Sequence, residues 1–348
     1  MKNTLRYKKV LETMINNNDY ILQLIDVKKW FPIDQGMIGN FINRKNPKVL
    51  RAVDGVSFKI LRGEVFGLAG ESGSGKTTVG RLALRLLEPT DGKIIFNDVD
   101  LSTLPNEELR HQRKNMQVIF QDPMASLNPR MTIGQAIAHP LEIHKPEDIE
   151  KKKEIVSDML ERVGLAPAEL FYDKYPHQIS GGQRQRVVIA RALVTNPQLV
   201  LSDEPVAMAD VSVRALLLDL MNKLKEDLNL TYLFITHDLA TAKYICDRIG
   251  IMYLGKLVET GEVDQVYKKP LHPYSQALLE AVPVPDPNFR RSKSLPSGEI
   301  PSPVDPPSGC HFHPRCSYAQ EECRKLIPEM RELEDGHSVA CHFAENFR

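Results

Sequence analysis

The chain has 348 residues, with 45 basic and 45 acidic side chains and no formal net charge at neutral pH. That length holds a full core plus one or two smaller modules, and the even charge balance argues against a dedicated nucleic-acid binder. No apolar run approaches the roughly 18 residues that span a bilayer, and residues 1–10 lack a secretory apolar stretch, so a cytosolic setting is expected.

In chain order, residues 1–20 are polar, with three asparagines at 16–18, and read as an extension. Residues 21–31 and 53–60 read as strands around a loop rich in Gly, Asn, Lys and Pro. Val65–Ala69 is a short continuous apolar run, the pattern of a buried parallel strand. It enters Gly70-Glu71-Ser72-Gly73-Ser74-Gly75-Lys76-Thr77-Thr78, and residues 77–87 then follow helical periodicity. Strand, G-x-x-x-x-G-K-T and helix in that order make a phosphate-binding loop. Gly70, Gly73 and Gly75 admit positive φ, so the N–H groups of Ser72, Ser74, Thr78 and their neighbours can converge on phosphate oxygens at the helix's positive end. Lys76 is placed to neutralise the β- and γ-phosphates, and the Thr77 hydroxyl to bind Mg²⁺.

Downstream, residues 118–120 read as a strand ending at Gln121, whose amide can donate to water or coordinate Mg²⁺. Residues about 122–180 lack strong strand signals, and 149–163 reads as a charged amphipathic helix. Ser180-Gly181-Gly182-Gln183 precedes a helix expected over 185–195. Leu199-Val200-Leu201-Ser202-Asp203-Glu204 is a second buried strand, ending in two acids where open α/β sheets bind ligands. Asp203 is expected to hold Mg²⁺ through water, and Glu204 to polarise an attacking water. Thr231–Thr236 is a third strand, and His237 after it can hydrogen-bond the γ-phosphate or that water. Residues 239–246 form an apolar helix that makes Cys246 a core residue, and 249–258 reads as a strand pair turned at Leu254-Gly255-Lys256. Beyond about 268 prolines crowd the chain, so an irregular tail is expected rather than a further sheet layer.

Four of the five cysteines, Cys310, Cys316, Cys323 and Cys341, fall in the last 39 residues, where there is little core. Disulfides are rare in a reducing cytosol, so a four-thiolate site for [4Fe–4S] or Zn²⁺ is the expected use, with free or paired thiols as the alternative. Intervals of five, six and seventeen residues lack the Cys-x-x-Cys knuckles of structural zinc and favour iron–sulfur. His311, His313, His337 and His342 lie nearby as substitute ligands.

Together these segments resemble the ATP-binding subunit of an ABC transporter, over about residues 21–348. Gly70–Thr78 looks like the Walker A loop, residues 199–204 the Walker B strand, residues 179–183 the signature, Gln121 the Q-loop and His237 the switch histidine. Phe120-Gln121-Asp122-Pro123, Ser126-Leu127-Asn128-Pro129-Arg130, Tyr175-Pro176-His177 and Leu271-His272-Pro273-Tyr274 are similar to the oligopeptide/dipeptide branch.

The resemblance implies a P-loop NTPase core with an N-terminal antiparallel β subdomain, a helical subdomain inserted at about 122–180, and a C-terminal extension over 268–348 carrying the cysteines and an iron–sulfur cluster. It implies that Ser180, Gly181, Gly182 and Gln183 serve the nucleotide of a second ATPase subunit, related but not identical, packed head to tail. It also implies two membrane-spanning permease subunits, a solute-binding protein outside the membrane, and a peripheral place on its cytoplasmic face. An aromatic near the first strand should stack on adenine: Phe31 has the better spacing and Trp30 is its neighbour. After Walker B, relatives commonly carry Ser-Ala-Leu-Asp; here Ala207-Met208-Ala209-Asp210 keeps Asp210 and loses the hydroxyl.

Overall fold

The computed structural model describes residues 19–33, 48–144, 151–282 and 299–347. The extension up to residue 18, the loop over 34–47, the start of the 149–163 helix and the prolines at 283, 285, 287 and 296 lie outside the described residues.

Two sheets carry the fold. In the smaller, strands β1 (Tyr20–Pro32), β2 (Val49–Leu61), β4 (Asp91–Phe96) and β5 (Val99–Asp100) pair antiparallel in the order β2-β1-β4-β5. The larger sheet takes β3 (Val65–Ala69), β6 (Met116–Ile119), β7 (Leu199–Asp203), β8 (Thr231–Thr236), β9 (Arg248–Tyr253), β10 (Lys256–Glu262), β11 (Arg331–Glu334) and β12 (His337–Val339). Its order is β11-β12-β10-β9-β3-β8-β7-β6, parallel from β9 through β6 and antiparallel beyond. β3, β7 and β8 are buried along their whole length, which is why they read as unbroken apolar runs rather than alternations. Their C-terminal ends lie side by side, so the loops after Ala69, Asp203 and Thr236 open at one edge.

The sheets bury a shared core in which Leu22, Leu24, Phe58 and Phe96 meet Phe66, Leu68, Leu201 and Leu233; the Phe58 and Phe66 rings stack at 4.8 Å. A second core lies among Val200, Tyr232 and Phe234 and helices Ile133–His144, Lys152–Arg162 and Gly181–Leu193. The region 122–180 is helical in Pro123–Ser126, Ile133–His144, Lys152–Arg162 and Glu169–Tyr172.

The tail differs from its sequence reading. β11 and β12 extend the large sheet through two residue pairs between β12 and β10, Glu259 with Val339 and Thr260 with Ser338. It adds two edge strands, not a layer. Fully buried Glu259 anchors the junction: its carboxylate accepts from the N–H groups of Leu271 (2.8 Å) and His272 (2.9 Å) and lies 2.7 Å from His337 Nε2. His272 then caps helix Pro273–Glu280 by accepting the Tyr274 N–H on Nδ1 at 3.0 Å.

That acceptor must be neutral, and burial lowers the His272 pKa to about 4. The unfolded imidazole binds its proton near pH 6.5, so stability is complete above that value and is lost as pH falls toward 4. The loss attributable to His272 is about 3 kcal/mol at most. His272→Asn, which caps without titrating there, is expected to flatten this limb of the thermal-midpoint profile between pH 6.5 and 4. An unchanged slope would mean that another group carries it.

Candidate active site

The phosphate loop is shaped by its neighbours as well as by its glycines. Gly70 has φ +152° and Gly75 φ +104°; a Cβ at Gly70 would lie 2.2 Å from the Met252 carbonyl oxygen, and one at Gly75 would lie 2.3 Å from that of Ala52. Neither position tolerates any other residue. Gly73, at φ +79°, has open space around it and needs glycine for its backbone alone. Buried Lys76 donates to the carbonyls of Gly70 (2.8 Å) and Glu71 (2.9 Å), which holds its ammonium at the mouth of the loop. Burial lowers its pKa, while Glu204, Asp203 and Glu71 pull the other way.

Thr77 Oγ1 donates to Asp203 Oδ1 at 3.1 Å, bringing the loop helix and the end of β7 together. Burial raises the Asp203 pKa, with Glu204 adding like charge. A desolvated carboxylate beside a hydroxyl oxygen, with a second carboxylate near, is a donor set that suits a hard divalent cation such as Mg²⁺.

Glu204 is the meeting point of three strand ends. Its Oε2 accepts from Gln121 Nε2 at 3.1 Å, and its Oε1 lies 2.9 Å from His237 Nδ1. Since an ionised carboxylate can only accept, the pair requires a proton on His237 Nδ1. The Glu204 backbone sits at φ +50°, a left-handed conformation that costs a non-glycine residue about 1–2 kcal/mol. Its N–H is held by the Ile235 carbonyl at 2.9 Å, so β8 fixes the strained turn. Nothing in the sequence signalled this strain.

The signature is elsewhere on the surface. Ser180 caps helix Gly181–Leu193, four residues earlier than the start expected from sequence. Its Oγ accepts from the Gln183 N–H at 3.3 Å, and Gln183 Oε1 accepts from the Ser180 N–H at 2.9 Å. This is a capping box, and the S-x-x-Q spacing of Ser180 and Gln183 is its sequence mark. With Asp122, Met124, exposed Met208 and Asp210, the residues Ser180, Gly181 and Gly182 line a hollow of about 400 Å³ that includes no phosphate-loop residue. Gln185 Nε2 donates to the Pro205 carbonyl at 2.6 Å, and Arg191 Nη1 to the Ser126 carbonyl, tying this helix to the segments after Glu204 and Gln121.

Of the two aromatics, Trp30 donates from Nε1 to Asp54 at 3.1 Å and lies under the Arg51 guanidinium, while Phe31 is half-buried under Lys29.

The metal expected on Cys310, Cys316, Cys323 and Cys341 is overturned. Among the described residues, no group of three or more His, Cys, Asp or Glu side chains is placed to hold a metal ion. The four thiols line one cavity of about 20 Å³, together with Phe312, Phe343 and Phe347. That space admits about one water. Burial pushes the Cys310 thiol up to about 11 and the Cys341 thiol up to about 12. Cys246 is buried, as expected of a core residue.

Comparison with known proteins agrees with this geometry. Residues 53–207 match the ABC transporter family, and residues 258–323 match the oligopeptide/dipeptide transporter C-terminal region. The oligopeptide transport ATP-binding protein AppF of Bacillus subtilis is 49% identical over 94% of this chain and 98% of its own length. The dipeptide transport ATP-binding protein DppF of Haemophilus influenzae is 43% identical over the same shares. Among solved structures, the dimeric post-hydrolysis state of the ATP-binding cassette MJ0796, bound to ADP and Pi, matches with a TM-score of 0.60 and 27% identity, over 70% of this chain and 98% of that one. CbiO1 from Clostridium perfringens, part of the ABC transporter complex cbiONQ, matches with the same score over 72% and 91%. A chain that matches the ABC transporter family over residues 53–207 and is 49% identical to such a relative over 94% of its length is an ABC-type ATPase of the oligopeptide/dipeptide transporter family.

Proposed function

We propose that the protein hydrolyses ATP to power uptake of di- or oligopeptides through a membrane transporter. The observation that carries this reading is the convergence of Gln121 and His237 on Glu204, beside the Thr77–Asp203 pair. The peptide assignment rests on relatives named for oligopeptide and dipeptide transport. In the proposed reaction Glu204 takes a proton from water as the water oxygen bonds to the γ-phosphorus. The bond from that phosphorus to the β–γ bridging oxygen breaks, and ADP leaves. His237 and Gln121 orient the carboxylate, and Lys76 with the loop N–H groups of Gly73, Gly75, Thr77 and Thr78 stabilises the transferring charge. Thr77 and Asp203 would hold Mg²⁺, with Gln121 as a further oxygen donor; the ion supplies charge neutralisation at the phosphates.

In this reading the ATPase domain spans residues 21–267, with the helical subdomain at about 122–180 receiving a permease subunit, and residues 268–348 form the family extension. Phe31 stacks on adenine, since Trp30 is already engaged by Asp54 and Arg51. Ser180, Gly181, Gly182, Gln183 and Asp210 meet the nucleotide held by a second, related ATPase subunit. Support comes from their placement in a surface hollow apart from this chain's own loop. Two membrane-spanning subunits and an external solute-binding protein complete the assembly. Among the described residues no helix is long and apolar enough to cross a membrane, which fits a peripheral subunit on the cytoplasmic face.

Cells lacking this chain are expected to lose uptake of labelled di- and oligopeptides and to regain it with the wild-type protein but not with Lys76→Ala. Intact peptide uptake together with lost oligosaccharide or metal-chelate uptake would replace the substrate class.

A further inference from the structure

We infer that the C-terminal extension positions the phosphate loop, through Arg315 and Tyr274 acting on Glu71. Glu71 follows Gly70 in the loop, and each of its polar groups is engaged. Its N–H donates to Tyr274 Oη at 2.9 Å, and its carbonyl accepts from Lys76 at 2.9 Å and from the Ser74 N–H at 3.2 Å. Its carboxylate receives a two-pronged pair from Arg315, Nη1 at 2.9 Å and Nη2 at 3.2 Å.

Both partners are built in rather than draped on. The Arg315 side chain is 9% exposed, and its guanidinium lies 5.8 Å from the Tyr253 ring and 5.9 Å from the Phe312 ring. Tyr274 packs on the same two rings, at 4.6 and 5.4 Å. It lies in the first turn of the helix capped by His272, which Glu259 fixes to β10 and, through His337, to β12. A continuous set of contacts thus runs from β12 of the tail to the loop that cradles the triphosphate.

The chemistry gives this contact a sign. Glu71 places a carboxylate on a loop that must bind a polyanion, and Arg315 cancels that charge. Tyr274 fixes the peptide whose carbonyl shares Lys76 with the phosphates. Arg315 and Tyr274 are therefore positioning residues: they act through Glu71 and set the loop's affinity for triphosphate.

The test is MgATP binding to the full-length chain by calorimetry, with thermal midpoints recorded alongside and Lys76→Ala as the non-binding reference. R315Q leaves the Glu71 charge exposed and is expected to weaken MgATP about tenfold; R315K, a single-pronged donor, should weaken it about threefold. Removing both charges in E71Q/R315Q should restore affinity to within about threefold of wild type, even where the midpoint stays low. Tyr274→Phe removes one hydroxyl without changing charge and should weaken binding about threefold, so it decides the matter if R315Q does not fold. A purely structural staple would lower the midpoint in every variant and leave affinity within error. That result, or a double variant binding no better than R315Q, overturns the inference; loss of binding confined to Lys76→Ala would overturn it while leaving the ATPase reading intact.

Discussion

Glu204→Gln is expected to lower ATP turnover by about 10²- to 10⁴-fold, with MgATP affinity held within about threefold. The substitution keeps the side chain's length and its ability to pair with Gln121 and His237, which now meet the carboxylate at 3.1 and 2.9 Å. It also inherits the positive φ of +50° and the bond to Ile235, so the strained turn is unchanged. What is lost is a group that can take a proton. The protein should then accumulate with ATP bound, which phosphate release in a single-turnover experiment and equilibrium nucleotide binding measure separately. Hydrolysis near the wild-type rate would place the base elsewhere, and a parallel collapse of binding would mean that Glu204 holds the loop rather than the water.

Strands made the catalytic end of this protein readable. β3, β7 and β8 are buried on both faces, so each shows as a short apolar run; the phosphate loop follows the first, Asp203 ends the second with Glu204 next, and His237 follows the third. Local backbone geometry was less visible. The left-handed turn at Glu204 is imposed by β8 through the Ile235 carbonyl, a contact with no sequence signature. The tail was least legible. β11 and β12 are four and three residues long and mostly polar; β12 pairs with the edge of β10, and β11 pairs with β12. The Arg315–Glu71 pair joins residues 244 apart, beyond any local pattern. Counting cysteines misled for a related reason: spacing along the chain says nothing of how small the cavity is that Cys310, Cys316, Cys323 and Cys341 share with Phe312, Phe343 and Phe347.

Gly181→Asp separates the fold of the signature from its use. A Cβ at this position meets nothing within 4 Å outside its own helix, and no left-handed backbone requires glycine there. As the first residue of helix Gly181–Leu193, an aspartate complements the helix dipole, worth about 0.3–1 kcal/mol, so the chain itself should be as stable as before. The same carboxylate would face the γ-phosphate of a partner's ATP, where like charge in a closed interface is strongly unfavourable. The measurement is steady-state ATP hydrolysis by the complete transporter carrying this one change, with MgATP affinity of the isolated chain as the control. Turnover lowered by about 100-fold or more with affinity unchanged is the expected result. Turnover within about twofold of wild type would contradict hydrolysis between two subunits.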